Sequence, residues 1–326
     1  MTRIDLITGI LGSGKTTFLL RYGKWLLEKG ERIAIIVNDF GAVNVDLLLL
    51  QQLACDHCEI VTICGCGDPN AHKRRYKTQL ISLGMQHFDR VLIEPSGIFD
   101  MDEFFDTLYD PPLDRWFKIG SVLTIVDAGM ERDLGDQMEF LLGSEAAYAG
   151  KLILSKLTCL PEEERGECTN RVLQHVNHAL YRMSCDRRFM ESDMLVKNWN
   201  ELEDADFRML DSVGYRMASY VKLFNAQTIR SAVHYFMHLQ FPENRISETI
   251  QDVMRDTQCG QVYRIKGSLP WGNGGWCKIN ATREQTEIAP VSSGQPVLIV
   301  IGDHLALDRI DTHFRAVNLD PAYVSI

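Results

Sequence analysis

The sequence predicts a doubly wound α/β domain on a mostly parallel sheet, followed by a smaller α+β domain. Three observations predict it. Short Ile-, Val- and Leu-rich runs alternate with stretches of helical spacing as far as residue 205, and a glycine-rich loop pattern follows directly on the first run. Past residue 205 the rhythm changes to short strands separated by Gly- and Pro-containing turns.

The apolar runs at 3–8, 32–37, 89–93, 122–126 and 152–154 have the length and branched composition of buried strands. Between them, 16–29 places Phe18, Leu19, Tyr22, Leu26 and Leu27 on one helical face, and 69–83 reads as a second helix. Strand–helix alternation of this kind requires right-handed crossovers and a sheet covered on both faces. The acidic segment 201–206 closes this part, so the expected domains are 1–205 and 206–326. In the second, helices are expected at 227–239, 246–255 and 307–317, and strands at 260–266, 276–279 and 297–301.

Composition narrows the function classes. With 326 residues, 45% of them hydrophobic, the chain can bury a substantial core. Its 34 basic against 44 acidic residues give a net charge of -10, which disfavours nucleic acid and anionic membranes as partners. No apolar run approaches membrane-spanning length, and no basic region followed by an apolar one opens the chain, so a cytoplasmic location is expected. Nine unevenly spread cysteines then point to reduced thiols or metal ligands rather than disulfides.

Gly9-Ile10-Leu11-Gly12-Ser13-Gly14-Lys15-Thr16, with Thr17 next, fits G-x-x-x-x-G-K-[ST] between a strand and a helix. Amides of such a turn surround phosphates, Lys15 supplies a point charge, and the Thr16 hydroxyl can ligate Mg²⁺. Mg²⁺ also takes hard oxygen ligands from carboxylates at strand ends. Two are present. Glu94 ends the run 89–93 before Pro95-Ser96-Gly97, where the Gly97 amide can reach a γ-phosphate, and Asp39 follows 32–37 within Asn38-Asp39-Phe40-Gly41. Either alone is also an ordinary turn carboxylate. The implied chemistry is in-line attack of water on the γ-phosphate, with Lys15 stabilising charge and Asp39 or Glu94 positioning metal and water. No arginine finger is visible, so intrinsic turnover should be slow.

These motifs make the chain resemble the CobW-type proteins within the SIMIBI-class GTPases, a group that includes the hydrogenase and urease nickel chaperones. The resemblance spans nearly the whole chain. Its carriers are the Gly9–Thr17 loop, Asn38-Asp39-Phe40-Gly41 with Asp46, Ile93-Glu94-Pro95-Ser96-Gly97 and Val126-Asp127-Ala128. In the second domain they are Gly260-Gln261-Val262-Tyr263-Arg264-Ile265-Lys266-Gly267 and Ile301-Gly302-Asp303. The resemblance implies a GTPase coupled to delivery or insertion of a transition metal, with GTP and Mg²⁺ as cofactors and Zn²⁺, Co²⁺ or Ni²⁺ as cargo. A client metalloprotein or cofactor-dependent enzyme is the implied partner, and a homodimer is one open arrangement.

Two departures from the family pattern stand out. Where the family has Asn-Lys-x-Asp for base recognition, this chain has Ser155-Lys156-Leu157-Thr158. Thr158 lacks the paired acceptors a carboxylate offers guanine, a loss of roughly 1–3 kcal/mol of discrimination. Where the family has Cys-x-Cys-Cys, this chain has Cys64-Gly65-Cys66-Gly67. Cys55 and Cys58, within the same twelve-residue span, are candidate further ligands, with Asp68 and His72 just beyond, the alternative being that they are small apolar residues of a reduced core and the metal function is lost with the third cysteine. The alternatives are a GTPase that activates a corrinoid or other cofactor-dependent enzyme without metal cargo, a non-hydrolysing nucleotide sensor, and a kinase. The pairs His234/His238 and His175/His178 read as helix-face histidines without accompanying ligands, and Cys159, Cys168, Cys185, Cys259 and Cys277 carry no assigned chemistry.

Overall fold

The computed structural model describes residues 1–39, 50–64, 69–95, 101–130, 134–224, 233–272, 274–283 and 286–325. Two compact units are present: residues 1–134 with 139–223, and residues 135–138 with 224–326.

The first unit is built on seven strands: β1 (Thr2–Thr8), β2 (Ile33–Asp39), β3 (Cys58–Cys64), β4 (Arg90–Glu94), β5 (Phe117–Asp127), β6 (Lys151–Ser155) and β7 (Met194–Leu195). They lie in the order β3-β2-β4-β1-β5-β6-β7, every pair parallel. Parallel strands covered on both faces read as near-continuous apolar runs, and β4 is buried at every position, with Val91-Leu92-Ile93 between the charged Arg90 and Glu94 at its ends. The helices are α1 (Lys15–Glu28), α2 (Pro69–Met85), α3 (Met101–Tyr109), α4 (Leu113–Trp116), α5 (Asp136–Ala147), of which 139–147 belong to this unit, α6 (Glu162–Arg182) and α7 (Asp204–Ser212).

On α1, Phe18, Tyr22 and Leu26 recur every four residues and share a core with Ile33 and Ile35 of β2 and Leu92 of β4. Phe207 and Leu210 of α7 join the same core, and the Phe207 ring stacks on Trp25 at 5.6 Å. That packing carries the unit past the 205/206 boundary expected from composition, and the unit continues to Leu223. A buried polar network lies in the same unit. Arg90 ion-pairs with Asp5 and with Asp211 at 2.6 Å, and the Tyr22 hydroxyl donates to Asp5 at 3.0 Å.

The second unit carries a six-stranded antiparallel sheet in the order β11-β10-β9-β12-β8-β13. Its strands are β8 (Val233–Met237), β9 (Gln261–Trp271), β10 (Gly275–Ala281), β11 (Thr286–Val291), β12 (Val297–Asp303) and β13 (Val324–Ser325). Helices α8 (Glu243–Arg255) and α9 (Leu307–Arg315) pack Ile246, Ile250, Val253, Ile310 and Phe314 against Phe236, Ile265 and Leu298. The helix expected at 227–239 is corrected: 233–237 form β8, paired with β12 and β13. Val233-His234-Tyr235-Phe236-Met237 is β-branched and aromatic, and ladder pairing overrides the helix-like spacing of its apolar residues. His234 therefore lies in a strand and His238 just beyond it, not on one helical face.

Candidate nucleotide and metal site

The loop after β1 is shaped by its glycines. Gly9 has φ +130°, and a Cβ there would sit 2.3 Å from the Ile125 carbonyl oxygen. Gly14 has φ +103° and caps α1 in the left-handed region, with the Trp199 ring 3.2 Å from where its Cβ would be. Only glycine takes both conformations without strain. The turn delivers Lys15 and Thr16, both buried, to the N-terminal end of α1. Lys15 Nζ donates to the Gly9 carbonyl at 2.7 Å and approaches that of Ile10 at 3.4 Å. Ser13 Oγ is enclosed without a hydrogen-bond partner among the described residues.

Glu94 ends β4, the neighbour of β1, and accepts a hydrogen bond from the Thr16 hydroxyl at 2.8 Å. A buried hydroxyl and a buried carboxylate in contact form a hard-oxygen donor pair that suits Mg²⁺. The strand order lines up the remaining sequence candidates at the carboxyl edge of the sheet, where parallel α/β sheets bind ligands. From β3 to β6 the strand ends are Cys64, Asp39, Glu94, Thr8 with the loop, Asp127 and Ser155. Asp39 is paired with Cys64 across the ladder, and Val37 with Glu94. Asp39 and Cys64 are placed by backbone alone, their side chains lying outside the described residues, as do Gly97, Cys66 and Asp68 entirely.

On the other flank, Lys156 takes φ 57° and ion-pairs with Asp127, whose second oxygen accepts from the Gly129 amide at 2.9 Å. Ser155 is buried and donates to the Val126 carbonyl at 3.3 Å. Thr158, where the family pattern has a carboxylate, is exposed.

The cysteine cluster drawn from the sequence does not hold together. Cys58 opens β3 and Cys64 ends it, which separates their backbones by about 20 Å at the strand rise. Cys55 bridges Cys58 at the same far end, its carbonyl accepting from the Cys58 amide at 2.9 Å. Burial and the adjacent Cys55 push the Cys58 thiol up to about 12. Cys55 and Cys58 are thus corrected as partners for Cys64: twelve residues of chain looked compact, but six of those steps are extended strand.

Sequence reasoning missed two residues that touch the loop. Glu145, on α5 and fully buried, accepts from the Gly9 amide at 3.1 Å, while its backbone carbonyl accepts from Thr8 and Thr124 hydroxyls. Burial pushes its carboxyl up to about 7, opposed by the Lys15 charge and the Gly9 amide. Trp199 lies against Gly14, anchored by its indole N–H on the Leu154 carbonyl at 2.9 Å and edge-on to Phe18 at 5.5 Å. Neither has a local signal, because each comes from a separate element. Glu139, likewise unforeseen, faces the histidines of α6: His178 Nδ1 is 2.6 Å from its carboxylate, and Arg182 ion-pairs with it.

The family model described as CobW/HypB/UreG, nucleotide-binding domain, matches residues 3–182. The chain belongs to the CobW/HypB/UreG family. The zinc chaperone YeiR of Escherichia coli is 36% identical over 337 residues, covering 98% of this chain and 90% of that protein. The zinc chaperone YjiA of the same organism is 30% identical over 171 residues, covering 50% and 51%. The zinc-regulated GTPase metalloprotein activator 1 of Schizosaccharomyces pombe is 22% identical over 353 residues, covering 93% and 82%. The matched region holds the whole strand-end row of this CobW/HypB/UreG protein, from the loop at Gly9 to Ser155 and Lys156. Among the described residues, no helix is long and apolar enough to cross a membrane.

Proposed function

We propose that this protein is a GTP-binding, slowly hydrolysing metallochaperone that couples its nucleotide state to binding of a transition metal, zinc foremost, and to delivery of that metal to a client. The observation that carries the proposal is the strand-end row: Cys64, Asp39 and Glu94 stand on three adjacent strands, and Glu94 holds the Thr16 hydroxyl of the phosphate loop. Similarity along nearly the full chain to a protein named as a zinc chaperone supports zinc as the first cargo to test.

Thr16 and Glu94, with Asp39 at the neighbouring strand end, are the residues to hold Mg²⁺. When bound, that ion would neutralise charge on the β- and γ-phosphate oxygens. Lys15, now on the carbonyls of Gly9 and Ile10, is the ammonium placed to turn onto the phosphates. The loop and α1 amides hold the phosphate chain against the helix N-terminus. Ser155 and Lys156 support the base side, and Gly97 the γ-phosphate side. Cys64 and Cys66 are the proposed soft-metal ligands. The setting is the cytoplasm, and the client docks on the second domain.

The test is phosphate release from GTP and ATP by chelator-treated protein with Mg²⁺, with and without Zn²⁺, Co²⁺ or Ni²⁺. GTP-selective hydrolysis that responds to one metal, and loses that response when Cys64 and Cys66 become serine, supports the proposal. Hydrolysis indifferent to metal and to both cysteines overturns it in favour of an activator without cargo.

A further inference from the structure

We infer that the second domain carries its own transition-metal site, formed by Asp256, Cys259 and His313 and suited to zinc-class ions. The carboxylate, thiol and imidazole ligand atoms all lie within 4.8 Å of one another. Ligands around a tetrahedral zinc stand about 3.3–3.7 Å apart, so a small contraction closes the three onto one ion. Asp256 caps a single 3₁₀ turn, Thr257–Cys259, and Cys259 ends it, which brings carboxylate and thiol close together. His313 reaches them from α9, with Nε2 2.8 Å from Asp256 Oδ2.

The donor set is selective. One thiolate, one imidazole and one carboxylate match zinc or cobalt, whereas Mg²⁺ and Ca²⁺ take oxygen alone. Cys259 belongs to the buried apolar core, while the side chains of Asp256 and His313 keep 16% and 23% exposure, so the thiol forms the floor and the other two an accessible rim. Three protein ligands leave a fourth position open for water or for an incoming ligand.

The same groups form an ion-pair knot. Asp256 Oδ1 accepts from the Gln258 amide at 2.9 Å, and Oδ2 from Arg309 Nε at 2.7 Å and from His313. Metal entry replaces the His313–Asp256 hydrogen bond and places a second cation beside Arg309. Arg309 therefore limits affinity, a feature that a purely structural salt bridge does not have.

The site is independent of Cys64 and Cys66, and so is its test. Full-length protein with Cys64→Ser and Cys66→Ser, stripped by chelator, is titrated with Co²⁺ while thiolate charge-transfer and ligand-field absorption are followed. Zn²⁺ affinity is then measured by chelator competition. The expected result is one equivalent bound with a thiolate band that vanishes in Cys259→Ser, about tenfold or weaker binding in His313→Gln, and several-fold tighter binding in Arg309→Gln. His313→Gln and Asp256→Asn change only the rim, so they remain informative if Cys259→Ser perturbs the core. Metal-free GTP hydrolysis should match the parent in all four variants. Absence of the band, its survival in Cys259→Ser, or equal affinity in His313→Gln and Asp256→Asn overturns the inference, whatever becomes of the Cys64 and Cys66 site.

Discussion

Glu145→Gln tests whether a buried carboxyl under the phosphate loop carries a proton near neutral pH. Glutamine keeps an acceptor for the Gly9 amide and removes the charge. The wild-type carboxyl, lifted by burial from 4.5 to about 7, corresponds to about 3 kcal/mol of stability set by pH. Between those two values the folded protein holds a proton that the unfolded chain has released. Its stability must therefore fall as pH rises across the window and level off above 7, the opposite of a salt-bridged carboxylate. The glutamine variant lacks this slope.

The assay is denaturant unfolding of nucleotide-free wild type and variant at intervals from pH 4.5 to 8. Relative to the wild type, the variant should gain about 3 kcal/mol over the window, at up to about 1.4 kcal/mol per pH unit. The Gly9 amide, 3.1 Å from the carboxylate, is the local reporter: its ¹⁵N shift should titrate with a midpoint near 7 and stay flat in Glu145→Gln. Parallel stability curves with a flat Gly9 shift would show Glu145 ionised throughout and refute the reasoning.

Three further outcomes are expected. Gly14→Ala forces a side chain onto φ +103° and toward the Trp199 ring, costing roughly 1–3 kcal/mol and weakening nucleotide binding, measurable by calorimetry. Thr158→Asp restores paired acceptors at an exposed position and should raise the GTP-over-ATP affinity ratio by about 1–3 kcal/mol, read from competition binding. Arg90→Met leaves buried Asp5 with Arg3, 3.3 Å away, as its remaining cationic partner, so unfolding free energy should drop by at most about 3–5 kcal/mol at pH 7.

The phosphate loop was legible in the sequence because its chemistry is local: glycines at the left-handed positions, then Lys15 and Thr16 on the first helical turn. The parallel sheet was legible because strands buried on both faces must be continuous apolar runs. What escaped depends on pairings the chain does not announce. Glu145 meets Gly9 from 136 residues away, and Trp199 meets Gly14 from a short 3₁₀ turn, Trp199–Glu201. β3 was hidden because its cysteines invited a reading as one cluster, although Glu59-Ile60-Val61-Thr62-Ile63 between them is a strand sequence. Cys259 looked inert because the histidine beside it comes from another helix. His234 was read on a helix because spacing alone cannot weigh the β12 ladder.

Strand order turns that correction into a constraint on how metal and nucleotide can communicate. β2 lies between β3 and β4, so Asp39 stands between Cys64 and Glu94 at one edge of the sheet. β3 is three strand spacings from β1, about 14 Å between backbones. Among the described residues, the strand ends that lie between them are those of β2 and β4, where Asp39 pairs with Cys64 and Glu94 holds Thr16. Cys55 and Cys58, a strand length away at the opposite edge, cannot take part. Substituting them should therefore leave any metal response of hydrolysis intact, whereas Asp39→Asn should uncouple it even where metal binding at Cys64 and Cys66 survives.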